Sequence, residues 1–101
     1  MVVRIWHGCT STANAARYED LLQEEIFVGI AGRNIAGYHG IKLLRRDGAS
    51  GVEFITIMTF DDLDAVREFA GNDYEAAVVP PKAPALRARF DERSQHYEPR
   101  A

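Results

Sequence analysis

The sequence predicts a single α+β domain with the element order β-α-β-β-α-β, on three observations. Residues 2–9, 35–46 and 52–60 are runs rich in β-branched and aromatic residues, as strands are. Two further stretches, one after the first run and one after the third, repeat apolar residues at helical spacing. DGASG, residues 47–51, is turn chemistry and folds the second and third runs into a hairpin. The 101 residues suit one domain, because two would each be too small to bury a good core.

Each element has its own justification. VVRIWHGC, residues 2–9, is the first strand. In TSTANAARYEDLLQEEIFVGIAG, residues 10–32, Thr10, Ser11 and Thr12 offer N-cap oxygens. Tyr18, Leu21, Leu22 and Ile26 form the helical stripe there, and Gly32 is the expected stop. IAGYHGIKLLRR, residues 35–46, is the second strand and VEFITIMTF, residues 52–60, the third. Asp61 or Asp62 caps a short helix that buries Leu63, Val66, Phe69 and Ala70 and ends at Gly71. Tyr74 to Val79 is expected to make one helical turn, closed by Pro80 and Pro81, with Pro84 opening a fresh segment. Phe90 and Tyr97 mark a final strand near residues 89–98. This is the ferredoxin-like split βαβ arrangement, with both helices on one face of a four-stranded antiparallel sheet.

That topology leaves the other sheet face without helices. Residues 53–60, EFITIMTF, are largely apolar on both alternating sets. Four strands about 4.8 Å apart, each five residues long, give a face of roughly 19 by 17 Å. Its ~300 Å² is already on the scale of the largest apolar patches of ordinary monomers. Phe54, Met58 and Phe60 are assigned to this uncovered face, and a second copy of the sheet is the expected cover. Two sheets packed about 10 Å apart would bury a standard interface of around 1,600 Å² in total. A homodimer is therefore expected, and Met58→Asp should disrupt it. The competing cover is residues 72–91 folded over the sheet.

Composition narrows the partners. A net charge of −3 argues against a nucleic-acid surface, whose footprint is clustered positive charge. Cys9 is the only cysteine, so no internal disulfide is possible, and a small buried hydrophobe is the commoner role of such a residue. There is no basic-then-apolar leader and no apolar run long enough to span a bilayer, so a soluble cytoplasmic protein is expected.

RIWHG, GYHGIKLLRR, EFITIMTFDDLDAVREFAG and HYE together resemble the antibiotic biosynthesis monooxygenase family, across nearly the whole chain. The resemblance implies a dimeric α+β barrel closed between two sheets, with a pocket in each subunit between sheet and helices or connecting segments. It also implies oxygenation of aromatic, polyketide-like phenols without metal or flavin, in some relatives, and haem degradation in others. Relatives often carry Trp where Phe60 stands, so any role that needs an indole N–H is lost here. The haem-degrading relatives place a histidine on or just after the second helix, and residues 61–85 contain none, which argues against that route. The family's Trp, Asn and Tyr constellation is not reproduced residue by residue.

The candidate chemistry follows from residue types. His7, on the first strand, is the candidate general base for a phenolic proton, since an unperturbed imidazole titrates near about 6.5. Trp6, Tyr38, Phe60 and Tyr74 are the candidate substrate-binding residues, flat walls suited to a planar ligand. Trp6 and His7 point to opposite faces, and alternation alone leaves open which of them meets a cavity. His7, His39 and His96 lack metal-ligand spacing, and no metal or cofactor is expected. RRDGASG lacks a phosphate-loop signature, and Asp61, Asp62 and Asp64 read as helix-capping residues. Two functions fit: a cofactor-independent monooxygenase acting on a small hydroxylated aromatic, or a non-catalytic dimeric ligand-binding or stress-response module with the same pocket.

Overall fold

The computed structural model describes residues 1–76, the backbone of 89 and 90, and residues 93–100. In order they form β1 (Val2–Thr10), α1 (Ala15–Leu21), a π-helical segment (Leu22–Ile26), α2 (Phe27–Gly32), β2 (Tyr38–Gly48), β3 (Gly51–Phe60), α3 (Leu63–Ala70), β4 (Arg89–Phe90) and β5 (Gln95–Tyr97). The sheet runs β2-β3-β1-β4, antiparallel throughout, and β5 also pairs with β1. The predicted ferredoxin-like α+β arrangement is the one observed.

The fourth strand differs from the single run expected over 89–98. Arg89 and Phe90 pair with Cys9 and Gly8, while Gln95–Tyr97 pair with Ile5–Val3, so two short pieces share one edge of β1. Between them the backbone turns to another partner. Arg93 bridges to Ala76, and the Ser94 N–H donates to Glu75 O at 2.6 Å. Of the turn expected over Tyr74–Val79, only the part up to Ala76 is described, with the Ala76 N–H on Asp73 O at 3.0 Å. The rest of it, its closure at Pro80 and Pro81, and the segment at Pro84 lie outside the described residues.

The helix ends correct two expectations. Thr10 belongs to β1, and the N-cap position is Asn14, whose N–H donates to Ser11 O at 3.1 Å and Ser11 Oγ at 3.3 Å. Gly32 is the last helical residue, but Asn34, with φ of 51°, takes the left-handed turn that follows. The second helix is as expected. Asp62 caps it by accepting from the Ala65 N–H at 2.9 Å, and Gly71 ends it at φ of 90°. In the hairpin, Gly51 is needed twice over: φ is 146°, and a Cβ there would lie 2.8 Å from Thr10 O.

The register overturns one assignment outright. Val52, Phe54, Thr56, Met58 and Phe60 are buried and paired with the inward residues of β1, so they face the helices. The uncovered face instead carries Ile55, Ile57 and Thr59 of β3 with Val3, Ile5, His7 and Cys9 of β1. Leu44 of β2 and Tyr97 of β5 extend it, and both are exposed. Alternation had allowed either parity. The larger residues went to the helix side because that is where close packing is available within one chain. Met58→Asp would therefore strike the core rather than a dimer surface.

The covered face carries two clusters. Val2, Ile35, Met58, Phe60, Ala65, Val66 and Phe69 pack at the α3 end. Ala15, Tyr18, Leu21, Leu22, Val52 and Phe54 pack at the α1 end. Among the described residues no helix is long and apolar enough to cross a membrane.

Candidate functional site

A cleft opens at the seam between the two clusters. Strand residues Arg4, Trp6, Ile41, Thr56 and Met58 form its floor. Tyr18, Leu22, Ile26, Phe27 and Ile30 roof it, and Phe69 and Ser94 close its sides. Its volume for water-sized spheres is about 50 Å³, and all of its non-atom space, open solvent included, is about 480 Å³. That space admits a few waters, at about 10–15 Å³ each, so a ring-sized ligand must use the mouth or open the roof.

Local structure explains the roof. The Phe27 N–H bonds to Leu22 O, five residues back, and this wider turn lets Leu22, Ile26, Phe27 and Ile30 share one side. No residue of α2 is fully buried, but Phe27 and Ile30 pack against the two clusters from their edges.

Arg4 is the unusual member of the floor. The inward set of β1 is Val2, Arg4, Trp6, Gly8 and Thr10, so a guanidinium lands between core residues at 3% exposure. It donates to Tyr74 O, to Ala76 O at 3.0 Å and to His96 Nε2 at 3.0 Å, and it lies 5.5 Å from the centre of the Phe69 ring. Burial pulls its pKa down to about 10, which leaves it charged at neutral pH.

His96 is tuned by the same contact. Arg4 can only donate, so His96 Nε2 accepts, and the neutral ring carries its proton on Nδ1. That Nδ1 is buried without a hydrogen-bond partner, and Tyr74 stands edge-on to the ring at 5.2 Å. Burial first, then the Arg4 charge, lower the His96 pKa from 6.5, and Glu75 opposes them. Below the unfolded value near 6.5 the unfolded chain therefore binds more protons than the folded one. Stability is fully present above that pH and falls as the pH drops from there toward the folded pKa. Thermal melts between pH 7.5 and 5 should show this loss, at most about 1.4 kcal/mol per pH unit for one proton. In His96→Gln the slope should flatten; an unchanged slope would assign it to other groups.

Only Trp6 among the sequence-derived candidates lines the cleft. Tyr38 and Phe60 meet each other at 5.6 Å in the α3-end cluster, and Phe60 is fully buried there. Tyr74 lies beyond Arg4, between His96 and the Arg67 guanidinium. His7 is on the open face, with Nδ1 3.5 Å from Glu53 Oε2, so the structure does not bring the candidate base and the cleft together. The three histidines do not converge: His39 pairs with Asp61 at the surface, and His96 sits beside Arg4. Among the described residues no three His, Cys, Asp or Glu side chains gather as metal ligands. Sequence reasoning passed over Arg4, although an arginine in phase with Val2 and Trp6 on a central strand was a signal. It also passed over Tyr18, Phe27 and Phe69 as cleft walls, reading them as ordinary packing or not at all.

No family model matches the chain, and no curated protein matches it. Among solved structures it is similar to a candidate antibiotic biosynthesis monooxygenase from Bacillus cereus. The TM-score is 0.60 at 16% identity, over 100% of this chain and 95% of that one. At that identity the likeness establishes the fold.

Proposed function

We propose that this chain is a small cytoplasmic oxygenase that needs no cofactor and acts on a hydroxylated aromatic bound in the cleft. The observation that carries the reading is the cleft itself. Flat walls from Trp6, Tyr18, Phe27 and Phe69 surround a few polar groups, Arg4, Thr56 and Ser94, as a site for a planar ligand requires. The name borne by the Bacillus cereus structure points the same way. In such chemistry the substrate supplies all four electrons. The ring carbon that takes one oxygen atom gives up its hydrogen, the phenol gives up its O–H hydrogen, and the other oxygen leaves as water with those two hydrogens, so that a quinone remains. The protein's tasks are to hold the ring, favour its ionised form and keep bulk water away.

A second copy of the chain is the cover this reading assigns to the open face. Val3, Ile5, Ile55 and Ile57 give an apolar centre, while Lys42, Arg46 and Glu53 put both signs of charge around it. Both signs on one patch suit a two-fold interface, where each patch must complement itself.

A non-catalytic binding module is the second reading, favoured by one observation. Among the described residues no histidine or carboxylate lines the cleft. Oxygen uptake separates the two. With a panel of dihydroxy-aromatics the first reading expects saturable consumption, which Met58→Trp, by filling the cleft, lowers about tenfold or more. Tight binding without uptake supports the second. Loss of uptake in His7→Ala, with Met58→Trp still active, would move the chemistry to the open face.

A further inference from the structure

The one buried arginine among the described residues differs from several of those at the surface. Arg45, Arg67, Arg93 and Arg100, all at the surface, each have a carboxylate within 3.4 Å. Arg33 rests on Phe69 O and Glu68 O, at the negative end of α3. Arg4 is the buried one, and among the described residues it has no carboxylate. A buried cation normally has an acid beside it, because desolvating a charge is costly unless an opposite charge compensates. Two backbone carbonyls, a neutral imidazole and the face of Phe69 engage Arg4 but leave its charge whole. Three of the roughly five N–H donors of a guanidinium are used, and the rest have no partner among the described residues. Arg4 also lines the cleft, beside Trp6, Met58 and Phe69.

We propose that a ligand supplies an anion to this guanidinium: the cleft takes a planar aromatic bearing an ionised oxygen, phenolate or carboxylate, seated on Arg4. The inference rests on the reading of the cleft as the ligand site. It also supplies what the lining lacks for the proposed reaction. With no histidine or carboxylate lining the cleft among the described residues, a phenol can still react as its anion if a fixed positive charge makes it more acidic. Its O–H proton then leaves to water at the mouth. An opposite charge within about 4–6 Å lowers an acid's pKa by about 1–3 units. Arg4 is in this role a binding and acidifying group, and Trp6, Tyr18 and Phe69 hold the ring.

Isothermal titration calorimetry on the intact wild-type protein at pH 7 compares 2-naphthoate with 2-naphthalenemethanol, alike in ring and unlike in charge. The naphthoate is expected to bind about tenfold tighter or more, the worth of a hydrogen bond to a charged group. In Arg4→Gln that preference should vanish while the alcohol still binds. In parallel, 4-nitrophenol bound to the wild type should ionise about one pH unit or more lower than when free, read from the phenolate absorbance. Equal affinities in the wild type, no binding of either compound, or a preference that survives in folded Arg4→Gln would overturn the proposal. If Arg4→Gln does not fold, the wild-type Arg4 Nε–H resonance decides. A shift with naphthoate and none with the alcohol supports the site, and no shift refutes it. Anion preference without oxygen uptake removes only the oxygenase reading; uptake without anion preference removes only this one.

Discussion

Phe60→Ala is expected to destabilise the protein by about 3–5 kcal/mol, a large share of the roughly 5–15 kcal/mol that holds a domain together. Phe60 is fully buried at the end of β3, where its register partners are Val2 on one side and Tyr38 on the other. Its ring lies 5.6 Å from that of Tyr38 and 6.0 Å from that of Phe69, so one side chain ties β1, β2 and α3 together. Truncation removes both ring contacts and leaves a void that neighbours in a sheet cannot readily fill. Phe60→Trp tests the same placement from the other side. Were Phe60 at a cavity wall, the larger ring would be accepted. In a filled core it should cost about 1–3 kcal/mol. Urea unfolding followed by circular dichroism measures both. A Phe60→Ala protein within about 1 kcal/mol of the wild type would show that this cluster is not the core it is taken to be.

Ile5→Asp is expected to separate the proposed dimer into monomers that remain folded. Ile5 is at the centre of the open face, between Ile57 on β3 and Gln95 on β5, with no cationic register partner to neutralise a carboxylate. In a single chain it is only partly buried, and an aspartate there can still reach water. In a two-fold interface each copy would bury one unpaired charge, at several kcal/mol per ion. A loss of about 3 kcal/mol already weakens association by roughly two orders of magnitude. Sedimentation at micromolar concentration should find wild-type protein at twice the mass of one chain and Ile5→Asp at the mass of one chain. A wild type that sediments as one chain would dispose of the interface. A variant that stays paired would show that the chains meet elsewhere. Met58→Asp provides the contrast, since Met58 is buried on the helix side and its change should unfold the chain.

Much of the fold was legible because it rests on local rules. The strand runs, the DGASG turn, the Asp62 cap and the Gly71 stop each follow from residues within a few positions of one another. Legibility failed where two local answers were equally good. On β3 both alternating sets are apolar, and nothing within the strand says whether Phe54, Met58 and Phe60 or Ile55 and Ile57 turn toward the helices. That ambiguity carried into the candidate site: Phe60 was read as a pocket wall and is core, while Arg4 was not read at all. The break in the final strand escaped for another reason, since residues near Ala76 compete with β1 for its backbone bonds.

What the sequence determined by itself is the order of elements, because hydrophobic period, caps and turns are written residue by residue. Tertiary structure alone decided which side of the sheet each strand residue occupies, and with it that Trp6 meets the cleft and His7 does not. The physical reason is that parity is a property of paired strands: one set must turn inward, and only the register with β1 and β2, and the helices laid across them, says which. The same packing put a guanidinium where no acid accompanies it among the described residues, an arrangement that no stretch of sequence displays on its own.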